Sequence, residues 1–214
     1  MPFNIHSIYQ TVSPYFRRQR MTAFVAAFSV TDRASIVDIG GTCANWSLID
    51  RKPRLVMVNI CPPTGPVPKH VRWVIADARA LPFADRTFHI AFSNSVIEHL
   101  SDEASQRQFA AEVTRVAPAY YVQTPNRFFP IDPHLLTPLF QFLPKRAKRA
   151  LARNFTVWGL LTRPSAQQAV AFVDELRLLT RRQFAGLFPG AVLKLERWCG
   201  FTKSFSALKT HSHA

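Results

Sequence analysis

Four polar side chains stand directly after short apolar runs, at places where a chain that folds strand by strand would leave them at strand ends. Asp38 is followed by Gly40, Gly41 and Thr42, Asn59 closes a second run, Asp77 and Ala78 a third, and Ser93 a fourth. Adjacent glycines let the backbone turn sharply and approach a ligand closely, and a helix expected to begin near Ala44 would point its amides at the same place. A plain structural turn is the alternative reading of Gly40-Gly41. The loop lacks the Gly-x-Gly-x-x-Gly pattern of dinucleotide binding, which weighs against hydride chemistry. Asn59 lies where a ribose hydroxyl is usually held and offers one acceptor oxygen, or else simply ends its strand. Asp77 can accept from an adenine amino group while the following backbone amide donates to the ring.

Two histidines could carry a proton near neutral pH, His99 and His134. His99 follows Glu98 after the fourth run, where both could equally brace the next helix, and His134 sits in the rigid segment Phe128-Phe129-Pro130-Ile131-Asp132-Pro133. His70 and His89 read as surface or strand-packing residues, and His6, His211 and His213 lie near the ends. Cys43, Cys61 and Cys199 cannot all pair and show no metal-ligand spacing, so neither a disulfide scaffold nor a metal site is expected, and a reducing cytoplasm fits.

The elements that must position these residues follow from periodicity. Apolar runs at 35–39, 55–60, 71–76, 88–92 and 119–123 alternate with helical stretches, the pattern of a parallel sheet covered on both faces. Phe16, Arg20, Phe24 and Phe28 fall four apart behind Ser13 and Pro14, which predicts an amphipathic helix over 14–29 rather than a signal peptide. A second helix is expected over 102–116, capped by Ser101 or Asp102, with Phe109, Val113 and Val116 on one face. Residues 126–165, punctuated by Pro130, Pro133, Pro138 and Pro144, read as a lid insertion. A last helix over 181–187 leads to two runs, 191–198 and 201–208, whose two-residue separation predicts an antiparallel hairpin.

The loop Asp38 to Thr42, Asp77 with Leu81-Pro82-Phe83, the turn through Phe88, and Val96-Ile97-Glu98-His99-Leu100 resemble, in that order and spacing, the class I S-adenosylmethionine-dependent methyltransferases of the type 11 branch. The likeness covers roughly residues 33–125 and returns in the terminal hairpin. It implies an α/β, Rossmann-like, doubly wound sheet of seven strands in order 3-2-1-4-5-7-6, the last strand antiparallel, within a single domain over 1–214. That domain would comprise an N-terminal helix (14–29), a cofactor-binding core (35–125), a lid (126–165), and a last helix and hairpin (180–209). It implies S-adenosylmethionine as cofactor, with Asp38, Gly40, Gly41 and Thr42 around its methionine end, Asn59 on the ribose, Asp77 and Ala78 on the adenine, and Ser93 at the pocket floor. Thr42 and Ala44 stand where the family often has Gly, and Asn59 where it usually has an acid.

Methyl transfer from a sulfonium is an in-line displacement that needs alignment and exclusion of water, and a base only where the acceptor must lose a proton. His134 and His99 are the candidates. The chain of 214 residues carries 27 Lys and Arg against 13 Asp and Glu, a net +14 that favours an anionic partner. Lys145, Arg146, Lys148, Arg149 and Arg153, beside Leu135, Leu136, Leu139, Phe140, Phe142 and Leu143, suit an amphipathic acceptor or a bilayer face. A packed core helix is the plainer alternative. The expected acceptor is small or lipid-like, methylated at oxygen, carbon or nitrogen in that order of preference, by a cytoplasmic protein touching the inner face of the membrane. The rivals are an RNA-directed methyltransferase and a non-catalytic nucleoside-binding module.

Overall fold

The computed structural model describes residues 5–63 and 65–210, the first ten of these as backbone only. His211 and His213, and the side chain of His6, lie outside the described residues. Seven strands, β1 (Ser35–Ile39), β2 (Arg54–Asn59), β3 (Val71–Ile75), β4 (Ile90–Asn94), β5 (Ala119–Pro125), β6 (Val192–Trp198) and β7 (Phe201–Lys209), form one sheet in the order β3-β2-β1-β4-β5-β7-β6. β2, β1, β3 and β4 pair in parallel, with Val37 opposite both Val56 and Ala91. β6 and β7 turn back on each other through Cys199 and Gly200, both at positive φ, and give the sheet its antiparallel end. The helices are α1 (Ile5–Phe28), α2 (Cys43–Trp46), α3 (Glu103–Val116), α4 (Lys145–Phe155), α5 (Val157–Thr162), α6 (Ala166–Glu175) and α7 (Arg181–Leu187). Among the described residues no helix is long and apolar enough to cross a membrane.

The chain divides into two compact units. The first comprises the residues up to Asn94, Ala111–Val122 and the end of the chain from Leu208; the second comprises Ser95–Ala110 and Gln123–Ala207. In the first, Met21 and Phe24 of α1 join Ile36, Trp46, Leu55, Met57, Ile90, Phe92 and Tyr121 in one core. The Phe24 ring meets those of Trp46, Phe92 and Tyr121 edge-on, and Phe92 stacks on Tyr121 with centroids 5.3 Å apart. This burial explains the four-residue spacing of the helix. α1 begins nine residues before the expected start, and Ser13 and Pro14 lie inside it rather than at its cap. The apolar spacing of Ile5, Ile8, Tyr9 and Val12 continues the helical pattern upstream and outweighs the one hydrogen bond that Pro14 removes.

β4 runs two residues later than its apolar composition suggests, because its ladder with β1 starts at Ile36 and Ile90 and Ser93 bonds the carbonyl of Ile39. α2, expected as a helix whose amides would face a ligand, is only four residues long. That length sums too few peptide dipoles to attract an anion, so any ligand contact there must come from the loop itself.

In the second unit α4 and α5 lie within the expected insertion, and α6 follows it directly and runs to Glu175. Leu135, Phe140, Ala152, Ala169 and Val173 form its core, and Trp158 stacks on Phe172 at 4.6 Å. Capping boxes at Ser165–Gln168 and Thr180–Gln183 start α6 and α7. α5 docks so closely on α4 that a Cβ at Gly159 would lie 2.2 Å from the carbonyl oxygens of Ala152 and Arg153. Gly186, in α7, has open space around its missing Cβ. In chemical denaturation Gly159→Ala is therefore expected to lose about 1–3 kcal/mol as the backbones are forced apart. Gly186→Ala is expected to gain about 0.5–1 kcal/mol from helix propensity alone; equal effects would mean that the α4–α5 contact is loose.

Candidate active site

The first unit gathers the strand-end residues. Asp38, next to last in β1, is fully buried, and the Trp46 indole donates to its Oδ2 at 2.6 Å. Its Oδ1 has no hydrogen-bond partner. Burial pushes the Asp38 carboxyl up to about 7, against the pull of the indole hydrogen bond. The carboxyl lies against the glycine loop: a Cβ on Gly41 would fall 1.9 Å from Oδ2, so only glycine fits there. Gly40 takes a φ of 75° and donates its amide to the Val58 carbonyl at 2.7 Å, which holds the loop against the end of β2. Thr42 precedes α2 with an extended backbone and no side-chain cap.

Asn59, at the end of β2, donates from Nδ2 to the Gly41 carbonyl at 3.3 Å and accepts from the Cys61 amide. The amide that replaces the family's usual acid thus ties the glycine loop to the second strand. The next strand end is joined too, through Ala76 N–H to the Asn59 carbonyl. Two residues on, Asp77 is engaged by Arg79, whose Nε and Nη2 reach both carboxylate oxygens while its backbone amide donates as well. These contacts hold the Asp77 carboxyl below the usual range. Ala78 is half-buried in the same turn. Ser93 is buried with its hydroxyl spent on the Ile39 carbonyl, which fixes the spacing of β1 and β4.

The structure therefore joins Asp38, Gly40, Gly41 and Asn59 by direct contacts, puts Asp77 one turn beyond them, and gives Ser93 a bracing bond. Sequence reasoning missed three contributors. Trp46 supplies the indole donor, Arg79 covers Asp77, and Arg20 of α1 donates to Asn94 at the end of β4 at 2.7 Å. The four-residue spacing of Phe16, Arg20, Phe24 and Phe28 marked Arg20 as facing inward, the one signal available.

The turn that carries Asp77 is held from α3. Glu112 accepts from the Leu81 amide, and Arg115 bonds Glu112, Asp85 and the carbonyls of Leu81 and Phe83. At the start of that helix Asp102, rather than Ser101, accepts from the Ser105 amide as its cap.

The second unit brings the other candidates together. Glu98 and His99 lie in a short 3-10 turn, Ile97–His99, and the Gln106 side chain donates to the carbonyls of Ile97 and of Leu100 just beyond it. Glu98 is fully buried and accepts from the Thr124 hydroxyl at 2.9 Å. His134 stands with Nε2 3.8 Å from Glu98 Oε1, its ring edge-on to that of His99 at 5.0 Å. Asp132 fixes the approach of His134 by accepting from the amides of His134 and Leu135. His99 meets Glu175, at the end of α6, through Nδ1 at 2.8 Å, a partner 76 residues away that local sequence does not signal. Burial, and secondarily the charge of His99, push the His134 imidazole down to about 3, so it stays neutral across the physiological range. Of the remaining histidines, His89 accepts the Ser35 amide, a strand-packing role, and His70 is exposed.

Beside Asp132 lies a cavity of about 200 Å³ lined in part by Arg127, Gln141, Lys148 and Arg177. Burial pushes the Lys148 ammonium down, Asp132 opposes that shift, and repulsion by Arg127 adds to it.

Residues 41–118 match the family model described as a methyltransferase domain. No curated protein matches the sequence. Among solved structures, a Methanosarcina mazei SAM-dependent methyltransferase is 11% identical, with a TM-score of 0.54 over 84% of this chain and 92% of that one. The 1,6-didemethyltoxoflavin-N1-methyltransferase of Burkholderia thailandensis, solved with 1,6-didemethyltoxoflavin and S-adenosylhomocysteine, is 12% identical, with a TM-score of 0.54 over 97% and 86%. A chain of the Haloferax volcanii complex between the Trm112 methyltransferase activator and a methyltransferase is 11% identical, with a TM-score of 0.53 over 98% of both chains. The matched segment holds Gly41, Asn59, Asp77 and Ser93, and the sheet has the strand order of the class. The structural likeness shows a Rossmann-like methyltransferase fold, and the methyltransferase-domain model matches within it over residues 41–118.

Because the Asp38 carboxyl has a folded-state pKa above its unfolded value of 3.8, its contribution to stability is complete below about pH 4 and is lost as pH rises through about 7. Asp38→Asn keeps an acceptor for Trp46 and removes that titration. Urea midpoints measured between pH 4 and 8 are expected to move in favour of the variant as pH rises; a constant difference would place Asp38 in water.

Proposed function

We propose that the protein transfers the methyl group of S-adenosylmethionine to an oxygen of an amphipathic acceptor that carries an anionic headgroup. The observation that carries this reading is the cavity of the second unit. Arg127, Lys148 and Arg177 line a space of headgroup size together with Asp132 and Gln141, the Arg177 guanidinium being also shared with Glu103 and Gln106. Like charges held near one another in a partly buried site repel, and an anion relieves that repulsion while gaining charge-assisted hydrogen bonds.

The surface of the same unit supports a lipid-like tail. α4 presents Lys145, Arg146, Arg149 and Arg153 to solvent, and Phe155 at its end is 68% exposed and Leu160 of α5 60%. Basic side chains flanking protruding apolar ones are what a protein lying on an anionic bilayer needs. Lys145 and Arg149 are shared with Asp174, which leaves Arg146 and Arg153 as the more available pair for phosphate.

In the donor site we assign the methionine end to Asp38 and the Gly40–Thr42 loop, the ribose to Asn59, the adenine to the Asp77–Ala78 turn, and the pocket floor to Ser93. A sulfonium needs no further activation. The acceptor oxygen attacks the methyl carbon, the carbon–sulfur bond breaks, and its electron pair remains on the thioether product. Loss of the acceptor's proton falls to the cluster of Glu98, His99 and His134, the second histidine being too weak a base to act alone near neutrality. Adenine binding at Asp77 requires Arg79 to swing aside, an inexpensive motion for a pair that is about two-fifths exposed.

Two measurements test the reading. With tritium-labelled S-adenosylmethionine and a total cell extract, the label is expected in the chloroform-soluble fraction; label in RNA would replace the lipid acceptor by nucleic acid, and donor binding without any transfer would leave a nucleoside-binding module. In vesicle co-sedimentation, binding is expected with phosphatidylglycerol and not with phosphatidylcholine alone. Arg146→Gln combined with Arg153→Gln is expected to weaken it roughly 30-fold, at about 1 kcal/mol per basic residue. Equal binding to neutral vesicles would contradict the electrostatic part.

A further inference from the structure

We propose that Glu98, His99 and His134 form a binding site for one divalent transition-metal cation, with Zn²⁺ the best match to the donors. One carboxylate oxygen and one ring nitrogen from each histidine all lie within 4.8 Å of one another. Two imidazoles and a carboxylate are a common donor set for such ions. Nothing in the spacing of the sequence announces it, since Glu98 and His99 are adjacent and His134 arrives from a segment more than thirty residues on.

Geometry separates this reading from a hydrogen-bonded relay. His134 Nε2 and Glu98 Oε1 are 3.8 Å apart, too far for a hydrogen bond. Two ligands bound at 2.0–2.2 Å to one tetrahedral ion stand about 3.4 Å from each other. Binding one cation would therefore draw Glu98 and His134 together by about 0.4 Å and close the widest ligand separation, up to 4.8 Å, by as much as about 1.4 Å. The two rings meet edge-on at 88°, so they neither stack nor lie side by side.

The surroundings have the outer layer that metal sites use to orient their ligands. Glu175 Oε1 sits 2.8 Å from His99 Nδ1, which leaves Nε2 of that ring as the ligating atom. Asp132 Oδ1 lies 3.8 Å from His134 Nδ1, and that nitrogen is buried with no hydrogen-bond partner. The His99 imidazole is thus held by a carboxylate, and Asp132 stands near the His134 imidazole without a hydrogen bond to it. Thr124 holds Glu98 through Oε2, and Oε1 is the atom that faces His134. Asp132 is itself fixed by two backbone amides, so the approach of His134 is set by the fold.

Three protein ligands leave a fourth tetrahedral position for water or an acceptor oxygen, where a cation lowers the pKa of a bound hydroxyl. That role rests on the methyl-transfer reading above. The site itself does not.

The test uses the full chain carrying His211→Ala and His213→Ala, so that the terminal histidines cannot bind metal, stripped with chelator and titrated with Co²⁺ and with Zn²⁺. One ion per chain is expected, with the intense visible absorption of four-coordinate Co²⁺. His134→Gln is expected to abolish that absorption. Glu175→Gln, a half-exposed residue whose replacement leaves the core intact, is expected to weaken binding roughly 10- to 100-fold, and His70→Ala to leave it unchanged. No bound ion at millimolar Co²⁺ or Zn²⁺, or binding indifferent to both His134→Gln and Glu175→Gln, would overturn the site. S-adenosylhomocysteine binding measured on the same samples separates the two readings, since donor binding without metal removes only the site, and metal binding without donor removes only the methyltransferase reading.

Discussion

A carboxyl group with no access to water governs the first unit. Asp38 lies next to last in a buried strand, and its burial is tolerable only because an indole N–H reaches it at 2.6 Å and its proton is retained up to about neutral pH. The rest of the loop follows from that placement. Gly41 must lack a side chain because the carboxyl occupies the volume, Gly40 must turn through positive φ to meet β2, and Trp46 must lie in the core to deliver its indole. Phe24 and Phe92 then pack against that indole, which links α1 to the loop through a chain of aromatic contacts. A cationic ligand arriving beside Asp38 would find a carboxyl ready to give up its proton, which makes the loop responsive to charge.

The second unit repeats the problem with a different solution. Glu98 is another buried carboxylate, held by a threonine hydroxyl and faced by imidazoles rather than by an indole. The histidines are in turn positioned by acids from distant parts of the unit, Glu175 on one and Asp132 near the other. Polar groups gathered this closely in a buried place are worth retaining when they bind something, and a cavity lined by Arg127, Lys148 and Arg177 lies next to Asp132.

Much of the fold was legible because it rests on local pattern. β1 is a run of apolar residues ended by Asp-Ile-Gly-Gly, α7 falls on the expected 181–187, and the closing hairpin is announced by two residues between apolar runs. α6 went unseen because Ala166–Glu175 follows a proline-punctuated stretch and buries only two residues, Ala169 and Val173. The helix expected to begin near Ala44 starts at Cys43 and stops at Trp46, whose indole turns inward to Asp38. In the site, the glycine loop and the strand-end polar residues were visible as types in order. What sequence did not disclose is which groups are already engaged: Arg79 on Asp77, Arg20 on Asn94 and Glu175 on His99, the last two across 74 and 76 residues. Such pairings are fixed by topology, and short spacing rules cannot reach them.

The most direct measurement is calorimetry of S-adenosylhomocysteine and S-adenosylmethionine binding near pH 7, in two buffers of different ionisation enthalpy, on the wild-type chain and on Asp38→Asn. The account predicts one donor per chain, with proton release in the wild type as the ligand's ammonium group draws the charge out on Asp38, and no such release in the variant. Absence of binding by either ligand at millimolar concentration, or proton release that is the same in both proteins, would contradict it.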